Sequence, residues 1–259
     1  MVTAVPVWLL GVLLIIGLPA AAVGAQLGIR RMWPQLVEGE HNDVAGFIIA
    51  VVGVIYAVLL AFVVIITWEN FSAAEGVVGE EASALRSIYR ESAAFPDEVR
   101  GRLHDDVRRY AEAAIDQEWP AMQRGQPGDP SVAGVLDQMS EHLTHLTVTT
   151  PVQQEYVGAE AARFNDLVSA RSQRLDFVTG GVPAVLWIAL IAGAAVTIGL
   201  AAIFGLRNVR LHLVITASLA TVIGVLLFVA LAINHPFGGD VVVKPHPLER
   251  VLTDFAGPA

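Results

Sequence analysis

Four apolar stretches with no formal charge in their cores sit in two pairs around a strongly charged middle. They run roughly from Pro6 to Gln26, Val44 to Thr67, Val182 to Phe204 and Leu213 to Ile233. Each is about as long as the ~20 residues a helix needs to cross hydrocarbon. The chain therefore reads as an all-α integral membrane protein with four spans and a helical extramembrane domain inserted between spans two and three. A mean hydropathy of +0.58 and a hydrophobic fraction of 54% agree. Pumps and proton-coupled transporters place Asp, Glu, Lys or His inside the bilayer. These spans offer only Thr, Ser and a few aromatic rings, which argues against a charge relay.

The first stretch has a competing reading as a signal peptide, because small residues near Ala22 resemble a cleavage site. The absence of Lys or Arg ahead of it, and its length, favour a retained membrane helix. The expected division is a hairpin over 1–67 (spans about 6–26 and 44–67), a helical domain over 68–180, a second hairpin over 181–233 (spans about 182–204 and 213–233) and a tail over 234–259.

The links Gly28 to Asp43 and Gly205 to His212 are short, so both lie on one side of the membrane, with the middle region and both termini on the other. Arg30, Arg31, Arg207 and Arg210 on the first side nearly balance Arg86, Arg163, Arg171, Arg174, Lys244 and Arg250 on the second. The positive-inside rule therefore leaves orientation open. From Trp68 to Gly180 there are 19 Asp plus Glu against 10 Arg, which is the whole formal net charge of −9. Nucleic-acid binding needs a basic footprint, so an acidic domain argues against it. With no cysteine there is no disulfide, thiolate metal site or Cys nucleophile.

No turn signal follows Thr67, so the second span is expected to leave the bilayer as one long helix, with Gly76 and Gly79 as tolerated weak points. Pro96 suits the first turn of the next helix, which Pro120 is expected to end. Leu103, Val107, Tyr110 and Ala114 form its apolar stripe. Asp129 can cap a short helix from Pro130, and a last helix from Pro151 breaks near Gly180, Gly181 and Pro183.

Small residues recur at Ala189, Gly193, Thr197, Ala201 and Gly205, and again at Ala217, Thr221 and Gly224, which suits either close packing within the chain or a subunit interface. His142 and His145, beside Glu141, have a spacing that could place two imidazoles near a metal, but further ligands are missing, so solvated histidines are expected. His104 with Asp105 and Asp106, and Arg108 and Arg109 one turn on, reads as an Arg-paired surface. No catalytic triad, phosphate loop or paired catalytic carboxylate stands out, and no enzyme activity, cofactor or metal is expected.

Two stretches are more specific. One is the exit of span two, GVIYAVLLAFVVIITWENFSAAEGVVG. The other follows span four, AINHPFGGDVVVKPHPLERVL, with Asn234, Pro236, Phe237, Gly238 and Asp240. Together they resemble the bestrophin-like membrane proteins. In bestrophins the second helix ends in a similar L-x-[GA]-F run and continues into an aromatic–acidic–aromatic cluster, which Trp68, Glu69 and Phe71 echo. The N-P-F-G-x-D stretch and the order of parts are also similar.

The resemblance implies a homo-oligomeric, pentameric anion channel, for an anion such as chloride, in the lipid of the inner (plasma) membrane. It also implies that the soluble domain and both termini are cytosolic. Laid on the bestrophin second helix, the hydrophobic neck falls on Val54, Val58 and Phe62, whose spacing keeps them on one face. An apolar ring can gate by dewetting, although residues at this spacing also serve packing or lipid contact. Bestrophins carry basic residues just past the neck, where this chain has Val63, Val64 and Asn70, and only Asp240 stands where calcium-regulated members have an acidic cluster. The acidic group Glu40, His41, Asn42 and Asp43 at the other mouth would favour cations, or simply cap the helix. The alternative function is a non-conducting scaffold or sensor whose acidic helical domain binds a protein partner.

Overall fold

A computed structural model describes residues 6–34, 42–146, 149–204, 206 and 208–255. The described residues contain helices and no strand. Eight helical stretches follow in order. They are α1 (Val7–Met32), α2 (Asn42–Glu91), α3 (97–123), α4 (Pro130–Thr144), α5 (Pro151–Thr179), α6 (Ala184–Ile203), α7 (Val209–Ala232) and α8 (His246–Phe255). Four of them are long and apolar enough to cross a membrane: α1, the first part of α2, α6 and α7. The chain divides into a unit of Met1–Glu69 with Gly181–Asn234 and a unit of Asn70–Gly180 with His235–Ala259.

In the first unit, α1 is not a regular helix throughout. Leu13–Gly17 forms a π turn just ahead of Pro19. Proline has no N–H to give to the preceding turn, and a widened turn accommodates that loss. At this turn α1 packs against α7 at backbone distance: a Cβ on Gly224 of α7 would stand 2.1 Å from the Leu14 carbonyl oxygen, so only hydrogen fits. Gly193 of α6 has the same role against α2, since a Cβ there would meet the Tyr56 ring at 2.5 Å. Both small-residue rows thus serve packing within the chain at these positions, as lipid-embedded helices require where backbones or rings approach.

The core of this unit joins Ala22 of α1, Tyr56, Leu60 and Val63 of α2, Leu190, Ala194 and Ile198 of α6, and Ala220, Ile223, Leu227 and Ala230 of α7. On α2 the buried positions Tyr56, Leu60, Val63 and Thr67 recur every three to four residues, one face of a helix. The Thr67 hydroxyl donates back to the Val63 and Val64 carbonyls at 3.0 and 2.9 Å. At the far end of α7, Asn234 Oδ1 accepts from the Val182 N–H at 3.0 Å, satisfying a donor just ahead of α6.

The second unit begins with the rest of α2, a 50-residue helix that runs through Gly76 and Gly79 without a break. After a 3₁₀ turn at Ser92–Ala94, Pro96 caps α3. The expected stripe is buried, with Leu103, Val107, Tyr110 and Ala114 at most 1% exposed. Pro120 does not end this helix. A π turn over Ala114–Glu118 shifts the register, so the proline occupies the first turn of a further segment, Trp119–Gln123, where its missing N–H costs nothing. Asp129 caps α4 as expected, accepting from the Ser131 N–H at 2.9 Å. Helix α5 stops at Thr179 and α6 resumes at Ala184, with Gly180, Gly181 and Pro183 between them.

Candidate functional site

The residues expected to form a neck lie where α2 faces away from its own unit. Val54, Val58 and Phe62 are 65%, 50% and 59% exposed, while Tyr56, Leu60 and Val63 on the opposite face are sealed in the core. Phe47, Val51 and Ile65 extend the bare stripe in both directions. Trp68 and Glu69 continue it and are exposed, whereas Phe71 is buried. Within α2 the first basic residue is Arg86, so no cation lies along the stripe. Glu40 and His41 lie outside the described residues, as do the side chains of Asn42 and Asp43.

The Pro-Phe-Gly stretch is built into the second unit. Phe237 is 1% exposed and meets Trp119 edge-on, with ring centroids 5.5 Å apart. The Val243 N–H donates to the Pro236 carbonyl at 2.7 Å, closing a loop in which Gly239, at φ +109°, takes a conformation that favours glycine. Gly238 lies within that loop, and Asp240 is exposed.

Trp119 also touches the feature that sequence reasoning missed, a buried ionic core. Arg174 of α5 is fully buried and donates from Nε and Nη2 to Glu81 at 2.6 and 2.9 Å, and from Nη2 to Glu118 at 2.7 Å. Its guanidinium lies 5.2 Å from the centre of the Trp119 ring. The Tyr110 hydroxyl donates to Glu81 at 2.5 Å, and Arg171 and the Asp129 N–H complete Glu118. Burial works against ionising Glu118, but the hydrogen bonds and charges of Arg171 and Arg174 outweigh it and hold the carboxyl below its usual range. Burial also opposes the charge of Arg174, and Glu81 more than reverses that effect. Burial, then the Glu81 charge, pushes the Tyr110 phenol well up. Every member is satisfied, so the cluster orders the unit rather than offering a reactive group. No spacing rule marks Arg174 or Glu81, because burial here follows from packing against other helices.

His142 and His104 differ from expectation, and His145 does not. His142 is not merely solvated: its Nδ1 lies 2.7 Å from Oδ2 of Asp106, a fully buried carboxylate that Arg109 also binds. Asp106 is therefore not a surface residue, since α4 covers it. His104 is stacked on Tyr89 at 3.6 Å, and Phe255 covers the other face of Tyr89 at 3.5 Å. Burial lowers the His104 pKa. His145 is exposed and bonded to the Glu141 carbonyl. Among the described residues, no group of three or more His, Cys, Asp or Glu is placed to hold a metal.

Two pairs of apolar helices, joined by a helical insertion and followed by a loop that buries Phe237, define a polytopic all-α membrane protein. The chain matches the Bestrophin-like domain over residues 16–248, nearly all of its length, and belongs to that family. Its fold is that of solved bestrophin homologs. A variant of the homolog from Klebsiella pneumoniae is 16% identical with a TM-score of 0.71, covering 94% of this chain and 99% of the other. A further structure of the Klebsiella pneumoniae homolog, phased on zinc, is 15% identical with a TM-score of 0.70, covering 93% and 97%. A structure described as a membrane protein variant reaches a TM-score of 0.72 at 14% identity, covering 95% and 98%. No curated protein matches the chain.

Proposed function

We propose that this chain is one subunit of a ring-shaped ion channel of the inner (plasma) membrane, conducting anions such as chloride. Val54, Val58 and Phe62 of each copy line its hydrophobic neck. The observation that carries this reading is the bare apolar face of α2 opposite a fully packed one. Exposed apolar residues on α1, α6 and α7 suit lipid contact, whereas α2 is the helix whose counterpart lines the neck in the family resemblance. Anion conduction, a fivefold ring and a cytosolic helical unit are family expectations and enter the proposal on that ground. With no Lys or Arg from Asn42 to Leu85, the neck has no side-chain cation to concentrate anions. Gating then rests on the apolar constriction, where an ion sheds water without substitute ligands.

The test is conductance of the purified protein in planar bilayers under a salt gradient. The expected result is a current whose reversal potential follows chloride. Phe62→Ala, which takes an aromatic ring out of the constriction on each subunit, is expected to raise the resting conductance severalfold. A wild-type protein that conducts nothing across voltage, pH and calcium removes the channel reading and leaves the non-conducting scaffold.

A further inference from the structure

A second polar cluster lies inside the membrane unit, away from the neck. Arg30 of α1 donates from Nη2 to His212 Nδ1 at 2.7 Å and to the Leu206 carbonyl at 3.2 Å. With Nδ1 accepting, His212 Nε2 is the donor and reaches the Ala201 carbonyl at 2.8 Å. These bonds set α1, α6 and α7 in register. One helical turn deeper, about 6 Å along each axis, Arg30 is followed by Gln26, His212 by Thr216 and Ala201 by Thr197.

All three residues of that layer are buried, Gln26 and Thr216 completely and Thr197 to within 5%. Neither amide atom of Gln26 has a hydrogen-bond partner, nor has either threonine hydroxyl. Arg30 Nε, in the layer above, is likewise buried and unpartnered. A helical threonine ordinarily satisfies its hydroxyl on the carbonyl one turn back, as Thr67 does on Val63 and Thr221 on Ala217. Thr197 and Thr216 do not. Sealed from solvent, such groups have no bulk water to relieve them, so several together are costly unless something polar binds between them.

The available chemistry is rich in donors: the Gln26 amide hydrogens, two hydroxyls and the Arg30 Nε–H, under the field of a guanidinium. Among the described residues no carboxylate is paired with Arg30. We propose that the layer formed by Gln26, Thr197 and Thr216 binds a small monovalent anion of the halide type between α1, α6 and α7. Arg30 supplies the compensating charge. The layer's one amide acceptor, Gln26 Oε1, turns to the Arg30 Nε–H, which leaves the amide hydrogens and both hydroxyls for the ion. This site is separate from the neck and does not depend on conduction.

The test uses the full chain in detergent, with bromide as the probe. Crystals containing bromide should show an anomalous peak bounded by Gln26, Thr197 and Thr216. Replacing gluconate by bromide should raise Tm, and Thr216→Val, which keeps the shape and removes the hydroxyl, should weaken the bromide midpoint by roughly tenfold. Should Thr216→Val fail to fold, Gln26→Leu serves the same comparison, and the wild-type anomalous map is decisive alone. Water molecules without a bromide peak in this layer, or a bromide response unchanged in the variants, overturn the proposal.

Discussion

Glu160 shows how one side chain can set a pH dependence. It is fully buried on α5, and neither carboxyl oxygen has a partner. Its nearest influences are Glu91, which is engaged by Arg163 at 3.2 Å, and Arg163 itself. Burial, reinforced by the Glu91 charge and only partly opposed by Arg163, pushes the Glu160 carboxyl up to about 8. A carboxyl raised above its unfolded value of about 4.3 keeps its proton in the fold and releases it on unfolding. Its contribution to stability is therefore fully present below about pH 4.3, is lost as pH rises towards about 8, and is level beyond. Glu160→Gln fixes the uncharged form. The melting temperature of the variant should rise relative to wild type between about pH 5 and about pH 8 and then hold a constant lead. Melting curves in detergent across that range check this, and a difference independent of pH would show that Glu160 is ionised throughout. The contrast with Arg174 is instructive, because its two carboxylate partners satisfy it completely and Glu160 has no such partner.

At the scale of elements, glycine marks where helices must touch. Gly224 and Gly199 lie on neighbouring spans and look alike in sequence, yet a Cβ on Gly224 meets the Leu14 carbonyl while one on Gly199 meets nothing within 4 Å. The backbone of α1 cannot yield at that point without disturbing its π turn. Gly224→Val should therefore lower stability by about 1–3 kcal/mol or more, the usual cost of overpacking. Gly199→Ala should be neutral or stabilise by up to about 1 kcal/mol through helix propensity. Paired thermal melts of the two variants check the contrast, and equal effects would mean that α1 and α7 are not in backbone contact. In the long helix α2, a Cβ at Gly76 or Gly79 would meet nothing within 4 Å, so neither glycine is required by packing.

For the whole molecule, the bare stripe on α2 is the feature on which the proposed channel turns. Phe47, Val54, Val58, Phe62 and Trp68 are each half exposed or more. If that stripe lines a shared axis, the purified protein must be a closed ring. The proposed channel predicts a native mass of about five 27.6 kDa chains in mild detergent. Native mass spectrometry checks it, and a monomer or dimer would leave no central path along α2.

The sequence by itself determined the four spans, the all-helical class and the unbroken exit of span two. Hydrocarbon imposes a run length, and helix interruption has a local chemistry in Gly and Pro. The family was legible in the Asn-His-Pro-Phe-Gly stretch that begins at Asn234, whose physical reasons became visible only in three dimensions: Asn234 satisfies Val182, and Phe237 packs on Trp119. Local rules failed at Pro120, where a π turn restored a register that proline ordinarily breaks, at Asp106, which another helix buries, and at His104, which stacks on Tyr89. Tertiary structure alone decided which face of α2 stays bare, which charges are sealed around Arg174, and that Gln26, Thr197 and Thr216 are buried without a partner. Those outcomes depend on how separate helices meet, and helices far apart in the chain meet through packing that no short window of sequence encodes.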